Sequence, residues 1–221
     1  MVTWLADEIR RRKQPDFPLK VAIDGRCASG KTSLADALAP RLRAQGFEVL
    51  RPSVDGFHHP KAHRYRQGEY SAAGYYEDAF NYAAVVSHLL EPLSGSAFPV
   101  RCRNASHDVR TDAVVDDPIE VSSNAVLLFD GVFLFRRELN AYWDFRVLLD
   151  VDAPTSVARA VERDAGADAD AEVVRRKYDV RYEPAWRMYC ELERPDVKAD
   201  VVIDNRDVAA PRFLKGGPPR P

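Results

Sequence analysis

One short segment carries the residue types and the spacing needed to bind a phosphate group. Residues 25–32 read GRCASGKT and fit the pattern G-x-x-x-x-G-K-[ST]. Glycines let the backbone curl so that several N–H groups point at one phosphate, and a helix starting near Lys31 adds its positive end. We expect Lys31 to reach the β- and γ-phosphates and Thr32 to bind Mg²⁺. The predicted nucleotide-binding residues are Gly25, Ala28, Ser29, Gly30, Lys31, Thr32 and Ser33.

Two aspartates follow apolar stretches of the sequence and precede a glycine. In a phosphate-loop protein, an acid placed like Asp130 after AVLLF usually holds the shell of Mg²⁺, often through water. Asp55 follows another predicted strand, at the sheet edge where ligands bind, and could accept the proton of an attacking hydroxyl. A plain Asp-Gly turn is the alternative for both, and for Asp55 the spacing alone favours neither reading.

The elements that must position these residues alternate along the chain. Short apolar runs predict strands at 19–24, 47–54, 124–130, 145–151 and 199–204. Helical periodicity appears in the N-terminal segment, after residue 31, and at 77–90, 154–163 and 167–194. Pro40 is expected to kink or shorten the second helix. Residues 55–75 read as a long polar loop and 97–121 as a small hairpin excursion. The alternation predicts an α/β fold, a doubly wound parallel sheet of the P-loop NTPase type with helices on both faces.

Length and composition limit the class of protein. The 221 residues include 32 Lys and Arg against 34 Asp and Glu, a net charge of −2 that argues against a nucleic-acid-coating protein. No apolar run approaches the ~18 residues of a membrane span, and three scattered cysteines suggest a reducing compartment. We therefore expect a cytoplasmic protein with neither nucleic acid nor membrane as a partner. Residues 1–210 are expected to form one domain, followed by a disordered Pro/Gly-rich tail at 211–221.

The order of five segments adds a family resemblance over residues 19–207. GRCASGKT, VDGFHHP, LLFDGVFLF, YWDFRVLLDVDAP and ADVVIDN resemble the uridine kinase/phosphoribulokinase family of phosphate-loop kinases. The resemblance implies that Asp55 is the general base. It also implies a magnesium role for the acid after the third apolar strand. That acid is usually Glu in the family, so the shorter Asp130 is expected to act through water.

The resemblance further implies a small helical lid at about 154–194. In the segment VARAVERD, Arg159 and Arg163 match lid arginines, which would stabilise the charge of the transferring phosphoryl group. Eight basic and nine acidic residues lie between Pro154 and Arg194. The alternative interpretation of this segment is therefore a solvated pair of helices held by ion pairs.

The acceptor side of the site is less closely matched. YEDAF, with Tyr76 and Asp78, resembles the family segment whose Asp binds ribose hydroxyls. In 99–110, Arg101 and Arg103 stand where the family has aromatic residues, and His107 is displaced by one position. Two arginines there would suit an acidic acceptor at least as well. The histidines at 58, 59 and 63 are interpreted as part of a polar loop on the substrate side. The tyrosines of the same region could stack a substrate ring or pack the loop against the sheet; they are Tyr65, Tyr70, Tyr75 and Tyr76.

Together these features predict a kinase that uses ATP and Mg²⁺ to phosphorylate a hydroxyl of a small metabolite. A uridine-like nucleoside is the first expectation for the acceptor. Pantothenate, a sugar or a sugar phosphate is the alternative, because VDGF also resembles pantothenate kinases. A nucleotide-binding module or regulatory NTPase that hydrolyses ATP slowly, with no acceptor, is the alternative from another class. The resemblance allows a homodimer or homotetramer.

Overall fold

The computed structural model describes residues 1–165 and 170–218. A strand lies within or beside each of the five predicted positions, and further short strands lie in the hairpin excursion and in the tail. The strands are β1 (Leu19–Gly25), β2 (Glu48–Leu50), β3 (Val100–Arg103), β4 (His107–Asp108), β5 (Ala113–Val114), β6 (Pro118–Val121), β7 (Ala125–Gly131), β8 (Phe145–Asp150), β9 (Val201–Asp204) and β10 (Arg212–Lys215).

Six of these strands form the central sheet in the order β10-β9-β8-β1-β7-β2. The five from β9 to β2 are parallel, and β10 adds to the edge in the antiparallel direction. β1 and β7 are buried at every position, as expected of strands covered on both faces. In their register Ile23 lies opposite Asp130, so the two strands end side by side. The doubly wound prediction is confirmed, and this register brings the phosphate loop next to Asp130.

Helices cover both faces of the sheet. The helices are α1 (Val2–Arg12), α2 (Lys31–Ala44), α3 (Lys61–Arg64), α4 (Ala72–Asp78), α5 (Tyr82–Val85), α6 (Ala153–Asp164), α7 (Ala171–Lys177), α8 (Glu183–Glu193) and α9 (Pro195–Lys198). On one face, leucines and isoleucines of α1 and α2 pack against β1, β7 and β8. On the other, an aromatic core includes Phe129, Phe133, Trp186 and Tyr189. Residue placement in both cores follows the periodicity of the sequence.

The expectation for Pro40 is wrong as far as helix length is concerned. α2 continues through Pro40 to Ala44. Leu34, Leu38 and Leu42 on the opposite face are buried against the sheet, and Pro40 itself is exposed. The carbonyl that loses its partner therefore faces water, and packing of the leucines outweighs the missing hydrogen bond.

Three other segment boundaries differ from the prediction. The second strand is only Glu48–Leu50, and the chain then makes a 3₁₀ turn at Val54–Phe57. Residues 55–75 are not one loop, since they contain this turn, α3 and the start of α4. The predicted helix 77–90 is broken after Asp78, because Asn81 caps a new helix by accepting from the Ala84 N–H. The hairpin excursion is confirmed, with β3 paired to β6.

The expected disorder of 211–221 is wrong for the part of the tail that the structure describes. β10 pairs with β9, and the Phe213 ring lies 5.0 Å from the ring of Trp4 in an edge-to-face contact. Phe213 was the signal for this strand, since its partly buried contact with Trp4 helps to offset the cost of ordering the segment. Within 1–165 and 170–218, no helix combines the length and apolar character needed to cross a bilayer.

Candidate active site

A cleft of about 880 Å³ opens at the carboxyl ends of the parallel strands. It is lined by the phosphate loop, the turn after β2, the end of β7, α4, and the helices from α6 to the segment before α8. Predicted site residues that line it are Ala28, Gly30, Lys31, Thr32, Ser33, Asp55, Asp130, Arg159 and Arg163. The two halves of the predicted chemistry, phosphate binding and proton transfer, therefore share one cleft.

The phosphate loop has the curled backbone that its sequence predicted. Gly30 has φ +95° and precedes α2, and a Cβ at this position would lie 2.8 Å from the Asn205 amide nitrogen. Ala28 also adopts a left-handed conformation, with φ +57°. Gly25 and Ser29 lie beneath the loop surface and do not line the cleft. The left-handed backbone at Ala28 and Gly30 gives the loop the curl of a phosphate-binding cradle, and the close approach of Asn205 explains why residue 30 is a glycine.

Lys31 is held within the same loop. Its ammonium donates to the Arg26 carbonyl at 2.7 Å rather than to a carboxylate, so its charge is free to compensate an anion. The side chain is 9% exposed, and at such burial an ion pair with phosphate is much stronger than in water. The residue is therefore placed for the predicted contact with the β- and γ-phosphates.

Thr32 and Asp130 converge at the base of the cleft. The Thr32 hydroxyl donates to the Asp130 carboxylate at 2.7 Å, and Arg51 lies 3.3 Å from the other carboxylate oxygen. Two oxygens this close fit a shared Mg²⁺ shell, which in such sites is completed by nucleotide phosphates and water. In the described chain, this site included, no group of three or more His, Cys, Asp or Glu side chains is arranged to hold a metal. The Thr32 hydroxyl and the Asp130 carboxylate are the groups that would hold this ion together with a bound nucleotide.

A buried carboxylate that the sequence analysis did not single out supports the phosphate loop from below. Asp24 is fully buried and accepts from the Gly25 N–H at 2.7 Å, the Leu134 N–H at 3.0 Å and the Tyr189 hydroxyl at 2.5 Å. Burial raises the pKa of Asp24 to about 6, although these donors and nearby Lys31 oppose the shift. Its position directly before Gly25 was the available signal.

Asp55 lies on the 3₁₀ turn that follows β2. The turn is fixed to β7 because Ser53 donates through its hydroxyl to the Asp130 carbonyl at 3.0 Å. Gly131 lets it approach closely, since a Cβ there would lie 2.4 Å from a Val54 methyl group. Within residues 1–165 and 170–218, no hydrogen bond or ion pair engages the Asp55 carboxylate, which is exposed to the cleft. A carboxylate so placed is available to accept a proton.

The two predicted lid arginines occupy different environments on α6. Arg159 donates to the carbonyls of Asn205 at 2.8 Å and Arg206 at 3.0 Å, and its second terminal nitrogen is buried without a partner in the described structure. Arg163 makes a two-point ion pair with the neighbouring Asp164. Both line the cleft. Arg159 is therefore fixed with a free donor, whereas Arg163 would first have to leave Asp164.

One side of the cleft is formed by tyrosines from two distant segments. This tyrosine wall consists of Tyr75 on α4 with Tyr178 and Tyr182 before α8. The Tyr75 and Tyr182 rings are 4.7 Å apart, and the Tyr178 and Tyr182 rings 5.0 Å. Beside them the Cys27 sulfur lies 3.5 Å from the Tyr75 hydroxyl, and burial raises the pKa of the Cys27 thiol. Tyr75 and Tyr178 are largely buried, so only part of each of these rings borders the cleft.

Four predicted substrate residues do not line this cleft, namely Asp78, Tyr76, Arg101 and His107. The buried Asp78 carboxylate accepts from Arg66 and, at 2.8 Å, from Gln67. Tyr76 points away from the cleft into the aromatic core, with Phe133 at 5.3 Å and the Arg136 guanidinium 4.0 Å from its ring. Successive residues of a helix differ by about 100° in direction, so Tyr75 reaches the cleft and Tyr76 cannot.

The other two lie in the hairpin excursion. Arg101 is exposed and stands opposite Glu120 in the β3–β6 register, and Arg103 pairs with Asp116. His107 is buried, 3.2 Å from Asp112, and neither ring nitrogen has a hydrogen bond in the described structure. Val109 and His58 line the cleft instead. Neither arginine lines the cleft, so their positions give no support to an acidic acceptor there.

The sequence and the fold can now be compared with known proteins. Residues 21–209 match the model of the Phosphoribulokinase / Uridine kinase family. The chain is 24% identical over 188 residues to "Uridine-cytidine kinase B" of Dictyostelium discoideum, covering 84% of this chain and 74% of that protein. It is likewise 24% identical over 188 residues to "Uridine kinase" of Leuconostoc citreum, covering 84% and 87%.

Solved structures show the same architecture. A protein of Bacillus stearothermophilus described as a possible uridine kinase aligns with TM-score 0.69 and 27% identity, covering 91% of this chain and 96% of that one. A D-glycerate 3-kinase of Cryptococcus neoformans aligns with TM-score 0.59 at 12% identity, covering 97% and 99%, which shows the shared fold alone. With a family model matched from residue 21 to residue 209, this chain belongs to the phosphoribulokinase/uridine kinase family of kinases.

Proposed function

We propose that this kinase transfers the γ-phosphoryl group of ATP, with Mg²⁺, to a hydroxyl of a nucleoside. The observation that carries the proposal is the single cleft shared by the phosphate loop, the Thr32–Asp130 pair and the unpaired Asp55 carboxylate. Proton acceptance and phosphate binding can then act on one pair of substrates held together.

Each residue has a distinct role in this reaction. Lys31 and the loop N–H groups bind the phosphates, and Thr32 and Asp130 hold the metal, which would neutralise charge that develops on the phosphate oxygens. Asp55 orients the acceptor hydroxyl and accepts its proton. Arg159, and Arg163 once it is released from Asp164, stabilise the transferring group and help to exclude water.

The nucleoside is favoured by two observations. The relatives named above are uridine or uridine-cytidine kinases. The tyrosine wall also lines the cleft with aromatic side chains, and stacking of a base on an aromatic side chain is worth about 1–3 kcal/mol per base in other proteins. The recognition differs from what the resemblance implied, because Asp78 is engaged by Arg66 and Gln67.

That engagement of Asp78 favours a second candidate acceptor, a sugar or pantothenate that needs no ribose contact there. ADP formation from Mg-ATP should be measured across nucleosides, sugars, sugar phosphates and pantothenate, with product masses. The proposal predicts turnover with uridine or cytidine. Turnover with only one of the other acceptors would show that the protein is a kinase for a different substrate. ATP binding without any acceptor-dependent ADP would contradict the transfer reaction.

A further inference from the structure

The phosphate loop is held from outside by α8, a helix more than 150 residues away in sequence. The Arg26 guanidinium forms an ion pair with Glu183 at the start of α8, and it lies 5.6 Å from the centre of the Trp186 ring one turn later. The two charged side chains are 16% and 8% exposed. Arg26 occupies a loop position that the phosphate-binding pattern leaves free, so the motif itself does not explain this pair.

The backbone of Arg26 is also the centre of the loop's own hydrogen bonds. Its carbonyl accepts from Lys31 at 2.7 Å and from the Ser29 N–H at 3.2 Å. The next carbonyl, of Cys27, accepts from the Ser156 hydroxyl of α6 at 2.7 Å. The position of Arg26 therefore sets the position of the Lys31 ammonium and of the loop N–H groups.

The loop needs such a constraint because its backbone is locally unfavourable. Ala28 has a left-handed conformation, which is unfavourable for a non-glycine residue and persists only where the surroundings fix it. The Arg26–Glu183 ion pair can supply this constraint from a nearly buried site, where removing one partner leaves the other charge without compensation. Burial raises the pKa of Glu183 while Arg26 opposes the shift, as expected for such a pair.

We infer that Glu183 is a positioning residue for the nucleotide: acting through Arg26, it holds the phosphate loop in the conformation that binds phosphate. The inference rests on the proposed use of ATP. Glu183 does not line the cleft, so its effect reaches the nucleotide through Arg26 and leaves the acceptor contacts in place.

The chain offers a matched control on the same helix. Glu193 lies at the other end of α8, is 12% exposed, and pairs with Lys198 rather than with the loop. The test compares Glu183→Gln, Arg26→Gln, their double variant and Glu193→Gln. The measurements are the Kd for Mg-ATP by calorimetry, the KM for the acceptor, and the melting temperature.

Glu183→Gln and Arg26→Gln should each raise the Kd for Mg-ATP about tenfold, and the double variant should be little worse than either. The acceptor KM should change less than about twofold, and Glu193→Gln should bind Mg-ATP as the wild type does. A purely structural role would lower the melting temperature of both glutamate variants and leave both Kd values unchanged, which would overturn the inference. If Glu183→Gln does not fold, Arg26→Gln decides the question alone.

The proposed function has a separate outcome in the same experiment. Absence of Mg-ATP binding by the wild type would overturn the proposed function and this inference together. Binding by the wild type that is lost in Lys31→Ala, combined with unchanged binding by Glu183→Gln, would keep the function and overturn the positioning role.

Discussion

The phosphate loop and the tyrosine wall both line one cleft, and they are built in different ways. The loop is one continuous segment that carries one short motif, and its residues are expected to bind phosphate mainly through backbone N–H groups. The tyrosine wall is assembled from α4 and from the segment before α8, which are about 100 residues apart. The motif proposed to bind the donor is therefore continuous in sequence, although Glu183 of α8 contacts it from outside, whereas the wall proposed for the acceptor is assembled by tertiary structure.

This difference extends to the electrostatics. Beneath the loop, Asp24 is fully buried and satisfied by three donors. Near the tyrosine wall, the carboxylate of Asp55 is exposed and has no partner in the described structure. A buried, saturated group fixes geometry, while an exposed, unsatisfied group is available to react. We therefore expect substitutions on the two sides to have different signatures.

The largest effect is expected on the donor side. Lys31→Ala removes the ammonium that the loop positions for the phosphates, so kcat/KM should fall about 10³-fold and the Kd for Mg-ATP should rise. Steady-state kinetics and calorimetry check both quantities. Wild-type turnover in this variant would contradict the assignment of the phosphate loop.

The buried carboxylate beneath the loop should appear in the pH dependence of stability. The folded pKa of Asp24 is raised from 3.8 to about 6, so the folded state binds this proton more tightly than the unfolded state does. The resulting stability is fully present below pH 4 and is lost as the pH rises through about 6, a change on the order of 3 kcal/mol.

Urea unfolding of the wild type and of Asp24→Asn at pH 4, 5, 6 and 7 isolates this contribution. The difference between the two free energies of unfolding should change with pH in that direction, since Asn does not titrate. Two parallel curves would show that Asp24 has an ordinary pKa.

The smallest effect is expected for Asp78, and it distinguishes a structural role of this residue from a role in binding the acceptor. Asp78→Asn weakens the bond from Arg66, whose side chain is 56% exposed, so we expect a loss of about 1 kcal/mol in stability. The KM for the acceptor should stay within about twofold. The neighbouring Glu77→Gln serves as the control because Glu77 accepts a hydrogen bond from the same Gln67 side chain. A tenfold rise in the acceptor KM for Asp78→Asn alone would restore the ribose contact implied by the resemblance.

The same contrast explains what the sequence could predict. The motif around Lys31 and the apolar runs identified the loop, the parallel sheet and the Asp130 position, because backbone geometry and strand burial follow from local residue types. The pairing of Asp78 with Arg66 and the inward direction of Tyr76 depend on how α4 packs. Local sequence does not specify that packing.

Long-range contacts were also beyond the reach of local patterns. Glu183 and Arg26 are brought together by the docking of α8, and Phe213 contacts Trp4 of α1 while its strand pairs with β9. In α2, by contrast, the shortening expected of Pro40 does not occur, since the packing of three buried leucines outweighs one hydrogen bond lost on the solvent side.

The most direct test of the account is a comparison of Asp55→Asn with the wild type, with phosphoryl transfer to the best acceptor and Mg-ATP binding measured on the same preparations. Because Asn cannot accept the proton of the hydroxyl, kcat should fall about 10³-fold while the Kd for Mg-ATP stays within about twofold. Transfer at the wild-type rate by Asp55→Asn would show that Asp55 is not the base and would contradict the account of the cleft.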